Sequence, residues 1–216
     1  MAFKLTSTIQ PFPSDISFLE ADAAYWVAKA ARIEAERRWE PKEEGRLDTV
    51  GVKATTHSKE NERQLVALTI TEAAHKAELD LRIEATEAAG RVLGIDALCK
   101  MHKLGAVERT TLLLCVYAAL DEGLETALCR AAPPAYGARI SPEVIWSLTE
   151  LDFAQRATEG RRPFSPSAPL LLNNLVTLTL GRTATPADLR SGSLAITQAA
   201  FDHVLGVANI DAKSVN

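Results

Sequence analysis

Long apolar runs are missing from this 216-residue chain. The run LLLCVYAAL, Leu112 to Leu120, is fenced by Glu108-Arg109 and Asp121-Glu122. Its length of about nine residues falls well short of the roughly 20 that a membrane span needs. The N-terminus, MAFKLTSTIQPFP, lacks the apolar segment of about 7–15 residues that marks a secretory signal. Cysteine is scarce: Cys99, Cys115 and Cys129 are an odd number at unrelated spacings, which argues against a disulfide framework and for a reducing cytoplasm. No GxxxxGK[ST] occurs, so the phosphate cradle of a P-loop is absent and the chain by itself is not expected to hydrolyse ATP. A strong charge of either sign is lacking too. The net charge of −4 and pI of about 5.7 give no electrostatic reason to expect nucleic acid or an anionic membrane.

The residues that are present can build a substantial core, since 47% are hydrophobic and 24% charged. After Pro13, apolar or small residues fall at Ile16, Leu19, Ala23, Trp26, Ala30 and Ile33, alternating between three and four apart. That spacing predicts a long helix with one packing stripe, capped through Ser17 and Glu20 or slightly earlier at Ser14 or Asp15, and ending near Trp39-Glu40-Pro41. Residues 41–57 read as a loop. Ser58 then caps a second long helix, with Val66, Ile70, Ala73, Ala77, Leu81 and Ala88 on one face and Leu65, Leu68, Leu79 and Ile83 on a neighbouring one. Two apolar faces predict burial on more than one side. The two helices most simply pair as an antiparallel hairpin.

From Ile95 the texture shortens. Helices are expected at about 95–103, 106–120 and 122–131, with LLLCVYAAL as the central core helix. Ser141-Pro142 opens another, PEVIWSLTELDFAQRA, whose apolar side is Val144, Ile145, Leu148, Leu151 and Phe153. Strand texture is confined to the end: LLLNNLVTLTL (170–180), a turn over Gly181 to Ala187, and a returning strand LRSGSLAI (189–196). Thr197 caps a last short helix that Gly206 stops. The fold class expected is mainly α, a long helical hairpin followed by a winged-helix-like unit with a small β-ribbon. The corresponding domains are a hairpin region over 1–94, the winged-helix-like domain over 95–210, and a linker over 211–216.

The run LGAVERTTLLLC, Leu104 to Cys115, followed by Ala119-Leu120-Asp121, then Pro169-Leu170, a strand, and SLAIT from Ser193 leading to Val204-Leu205-Gly206, resembles the N-terminal region of a group of bacterial AAA+ ATPases. In that group an ER-x-x-LLL helix precedes a variant winged-helix unit, and some members are encoded beside phage-tail-like contractile injection systems. The likeness covers about residues 90–210. It departs at Gly105, where a serine is usual, and at Ala138-Arg139-Ile140-Ser141, a reduced form of an Arg-Arg-Pro-Thr stretch. The resemblance implies a non-catalytic N-terminal domain that binds a protein partner or substrate for a downstream ATP-driven module. ATP, magnesium and any homo-oligomer would belong to that module, with no catalytic, cofactor or metal residue in this chain.

Side chains with chemistry are few. Glu72 and His75 form a Glu-x-x-His pair one turn apart, half of a helical di-metal site; no second such pair exists, and a helix-packing or solvated pair is the simpler reading. Cys99 and His102 have the spacing of half a zinc site, but Cys115 and Cys129 are isolated, which favours free, buried thiols. His57 and His203 have no recognisable partner. A winged helix invites DNA binding, yet helix 142–157 carries Glu143, Glu150 and Asp152 against Arg156 alone, and a groove-reading helix should present basic and amide side chains. Arg161, Arg162 and Arg182 make at most a small basic spot near the wing. Trp26 belongs with the core, and Trp39 at the helix end suits a contact surface better. A stand-alone DNA-binding winged-helix regulator is the alternative function, and a metal-dependent enzyme built on Glu72 and His75 a third.

Overall fold

The computed structural model describes residues 9–39, 53–181 and 188–207, of which 53–58 by backbone alone. Helix α1 (Asp15–Trp39) begins where Ser14 and Ser17 cap each other: each Oγ accepts the other's backbone N–H at 3.1 Å. Ser17 therefore caps with Ser14, and Glu20 takes no part. Helix α2 (Lys53–Ala88) starts five residues before the expected Ser58 cap, so residues 53–57, His57 among them, are helical. It ends at Gly90, whose φ of 73° lets Arg91 N–H reach back to the Thr86 carbonyl. Residues 41–52 of the expected loop lie outside the described residues.

The two helices form an antiparallel hairpin. Phe12 N–H donates to Thr86 Oγ1 at 2.8 Å, Tyr25 lies under the Lys76 ammonium, and Arg32 bonds Glu72, so residue numbers on the two helices run in opposite senses. Helix α1 is buried on two faces. Leu19, Ala23, Trp26 and Ala30 form the expected stripe, and Phe18, Asp22 and Tyr25 form a second; Ile16, at the edge of the first turn, is exposed. Helix α2 does the opposite of what its composition suggests. Leu65, Leu68, Leu79 and Ile83 turn inward, while Val66, Ile70 and Leu81 remain exposed. An outer helix has one neighbour, so only one of two similar apolar faces can be covered.

Helices α3 (Gly94–His102), α4 (Ala106–Leu120) and α5 (Glu122–Cys129) follow, close to expectation. Along α4, every residue from Thr111 to Tyr117 is buried, because α1, α3, α5 and the later chain surround it. The run LLLCVYAAL is thus a central helix wrapped by protein. Its Tyr117 hydroxyl donates to Asp22 Oδ2 across 2.5 Å in the interior, tying α4 to the hairpin. Burial pushes the Asp22 carboxyl above the usual aspartate range, while the Tyr117 hydrogen bond and the Arg109 charge pull it down.

The helix expected over 142–157 is two helices. Helix α6 (Pro142–Leu148) is capped by Ser141 and closes through Glu150, which takes a left-handed conformation at φ 52° so that Leu151 N–H reaches the Trp146 carbonyl. Asp152 and Gln155 then form a reciprocal capping box that starts α7 (Phe153–Ala157). The break swings Phe153 out of the core to 89% exposure, against the expected apolar side. A 3₁₀ turn (Arg162–Phe164) and a single turn α8 (Pro169–Leu172) come next. Proline at the first position of α8 and Asn174 at φ 51° make the front half of the expected strand helical and bent.

The ribbon itself is short. Strand β1 (Val176–Thr179) pairs antiparallel with β2 (Ser193–Ile196), Val176 opposite Ile196 and Leu178 opposite Leu194. Between them Asp188–Ser191 is a helical turn, α9, where the returning strand was expected to begin. Residues 182–187 of the expected turn lie outside the described residues. Leu194 N–H bonds the Ile140 carbonyl just before α6, which anchors the ribbon to the helical unit. Thr197 caps α10 (Gln198–Val204), whose end lies on Gly94: a Cβ there would sit 2.9 Å from the His203 and Val204 carbonyl oxygens. Gly94 N–H in turn donates to Asp15 Oδ1 at 2.9 Å, at the start of α1. The architecture is mainly α, with hairpin and winged unit sharing one hydrophobic core. No helix among the described residues is long and apolar enough to cross a membrane.

Two outcomes follow from the interior bond. Tyr117→Phe leaves the Asp22 carboxylate buried without its donor and should cost about 1–3 kcal/mol in denaturant unfolding. Because the Asp22 pKa is raised by folding, its contribution is full below the unfolded value and is lost as pH climbs through the folded one. Asp22→Asn keeps an acceptor for Tyr117 without the charge. Its melting temperature relative to the parent should therefore rise progressively as pH increases from about 4 upward. A pH-independent difference would remove the burial argument.

Candidate interaction surface around helix α6

The stretch 142–157 is the one the sequence singles out as a candidate to enter a DNA groove, and α6 is its first half. Here every residue of α6 is buried, Glu143 included at 1% exposure. Apolar Val144, Ile145 and Leu148 face the core, α1 covers one side, and α7 and α9 close the other. The Trp146 indole N–H donates to the Gly160 carbonyl at 2.7 Å, drawing the following loop over the helix. As folded, α6 offers no side chain to a base edge.

Glu143 explains how a charge can sit there. Its Oε1 accepts from Arg156 Nη1 at 2.9 Å and its Oε2 from Arg190 Nε at 2.8 Å, so one buried carboxylate clamps α7 and α9 onto α6. The Arg190 guanidinium also lies over the Tyr136 ring, 4.5 Å from its centre. Beside this clamp is a cavity of about 210 Å³ lined by Trp146, Phe153, Arg156, Arg161 and Arg190. It is a cationic recess with an exposed aromatic ring at its edge.

On the opposite flank, α1 docks through a second charged network. Arg32 Nη2 and Lys29 Nζ each approach the Glu150 carboxylate at 2.8 Å, and Arg32 also bonds Glu36 and Glu72. Burial works against the charge on Glu150, yet the Lys29 and Arg32 hydrogen bonds hold its carboxyl below the usual glutamate range. The same residue carries the left-handed turn that ends α6. Arg37 donates to the Ala131 and Arg130 carbonyls at 2.6 and 2.7 Å, satisfying backbone groups at the end of α5. A groove of about 300 Å³ lies between these elements, lined by Ile33, Arg37, Ser147 and Leu151.

The candidate residues from the sequence are dispersed. Glu72 faces α1 and is held by Arg32; His75 is half-buried on the same face, and no cluster of three metal-ligating groups exists among the described residues. Cys99, Cys115 and Cys129 are free thiols. Burial pushes Cys99 up to about 11 and Cys115 further still, conditions that leave them protonated and unreactive at neutral pH. His102 and His203 lie at the ends of α3 and α10. Arg161 and Arg162 border different cavities, Arg162 facing one beside Pro163 and Pro169, and Arg182 lies outside the described residues. Trp26 is in the core against Tyr25, and Trp39 is half-buried at the end of α1. The basic spot is thus Arg156, Arg161 and Arg190 around Phe153. Reading Asp152-x-x-Gln155 as a helix start would have exposed Phe153 in advance.

Replacing Glu143 by glutamine keeps the shape but removes the charge that both arginines share. Glu143→Gln should destabilise by about 1–2 kcal/mol, the arginines being partly solvated. Amide exchange should accelerate over α7 and α9 well before it does in α4.

A family model for the variant winged helix domain matches residues 4–216. No curated protein and no solved structure matches the chain. The match spans both the hairpin and the ribbon-bearing unit just described, and this chain belongs to the variant winged helix domain family.

Proposed function

We propose that this domain is a non-catalytic, N-terminal adaptor of an AAA+ ATPase, which recognises a protein partner or substrate for an ATP-driven module downstream. The observation that carries the reading is the enclosure of α6: the helix that would read DNA is used to hold the domain together. Recognition then falls to the outer helix surfaces and the recess at Phe153, which suit protein contacts. The resemblance of LGAVERTTLLLC and SLAIT supplies the AAA+ connection, and ATP and magnesium would be bound by the downstream module. The partner in view is a component of a contractile injection particle, met in the cytoplasm.

The alternative, a DNA-binding winged-helix regulator, draws on one observation. Arg156, Arg161 and Arg190 surround an exposed aromatic ring, a combination that can stack a base and meet phosphate. Two of those arginines already serve Glu143, which leaves little charge to spend on DNA.

The test is the native reading frame beyond codon 216. A GxxxxGK[ST] motif there, and co-purification of the full-length protein with a particle component, are the expected results. A stop codon at 217 overturns the AAA+ reading. A gel shift at low salt, where phosphate contacts are strongest, would favour the regulator; no shift is expected.

A further inference from the structure

The outer face of α2 is apolar and uncovered. Val66, Ile70 and Leu81 are exposed by 53%, 64% and 46%, and Ala73, Ala74 and Ala77 between them are exposed too. At 3.6 residues per turn these six positions share an arc of about 100°, opposite the face that packs on α1. Charges keep to the margins: Lys76 pairs with Asp80 on one side, and Glu78 with Arg82 on the other. Arg63 sits one turn before Val66, and Glu84 one turn after Leu81. Both lie on the same arc and close the stripe with opposite charges. Arg63 reaches only Glu60, at 3.9 Å, and Glu84 has no ion-pair partner among the described residues.

The order along this stripe is self-complementary. Turned end for end about a point between Ala73 and Ala74, the helix places Val66 opposite Leu81, Ile70 opposite Ala77, Ala73 opposite Ala74, and Arg63 opposite Glu84. Large meets small at the Ile70 position, alanines meet at the centre where backbones approach most closely, and a cation meets an anion at both ends. A single helix has no use for this symmetry. A two-fold dimer requires it, because each patch must complement itself.

We infer that the outer face of α2 is a homodimer interface, in which two copies pair antiparallel along Arg63–Glu84. The inference rests on α2 alone and is independent of the function proposed above. Six apolar positions and two exposed ion pairs make a seam about 30 Å long, smaller than a standard interface, so the dimer should be weak.

Sedimentation equilibrium of the chain up to about 1 mM tests it, a range set to bracket that weak association. The expected result is reversible dimerisation, weakened at least tenfold by Ile70→Glu, a residue exposed enough that the helical circular dichroism should be unchanged. Arg63→Glu and Glu84→Arg should each weaken self-association several-fold. Mixing those two variants should restore it, since in the mixed dimer a carboxylate again faces a guanidinium at both ends of the seam. A chain that stays monomeric throughout overturns the inference and assigns the face to another partner. So does a dimer that ignores Ile70→Glu, or one for which mixing the charge variants restores nothing, since the antiparallel register would then be wrong.

Discussion

The hydrogen bond from Tyr117 to Asp22 is the contact on which the rest of the molecule depends. It crosses from the most enclosed helix, α4, to the first helix of the hairpin, and neither side chain reaches solvent. A buried carboxylate tolerates few arrangements, so this bond fixes both the rotation of α1 and its height along α4. With α1 placed, it also meets α5 and α6, and the networks of Lys29, Arg32 and Arg37 fall within reach of Glu150 and the end of α5. The Trp26 indole N–H is buried beside the same carboxylate, short of a well-formed hydrogen bond but near enough to help hold its charge.

What α1 does to α6 bears directly on the choice between the two proposed functions. The ribbon and the helices are present, but α6 is enclosed along its whole length. Glu143 would repel a phosphate backbone if exposed; enclosed, it draws Arg156 and Arg190 inward and closes the shell around α6. One acidic residue thus both stays enclosed within α6 and supplies the attachment point for the elements that cover that helix. The exposed Phe153 lies one turn before Arg156 on the same face of α7, so the side chain that closes the clamp also sets the ring at the rim of the recess.

Much of this was legible in the residues. The bounds of α4 follow from the apolar run and its charged fences, and α10 from Thr197 and Gly206, since local chemistry decides both. The hairpin was legible as a pairing, but the choice of face on α2 was not. Leu65, Leu68 and Leu79 differ little in hydrophobicity from Val66, Ile70 and Leu81, and only the docking partner breaks the tie. The break between α6 and α7 depends on Glu150 entering a left-handed conformation, which sequence disfavours for glutamate and which Lys29 and Arg32, more than 100 residues away in the chain, help to hold. The candidate surface was hidden for the same reason. Arg156 and Arg190 are separated in sequence and meet only because Glu143 is buried between them.

Gly94 has a mechanical consequence. Its backbone lies against the last turn of α10 and donates to Asp15, so the C-terminal end of the winged unit, the start of α3 and the first turn of α1 meet at one point. The chain thus returns twice to where it started, and the stretches 15–94 and 94–204 each form a loop closed at the same point. A side chain at position 94 would wedge all three segments apart together, so the fit of the hairpin to the winged unit rests on one missing Cβ.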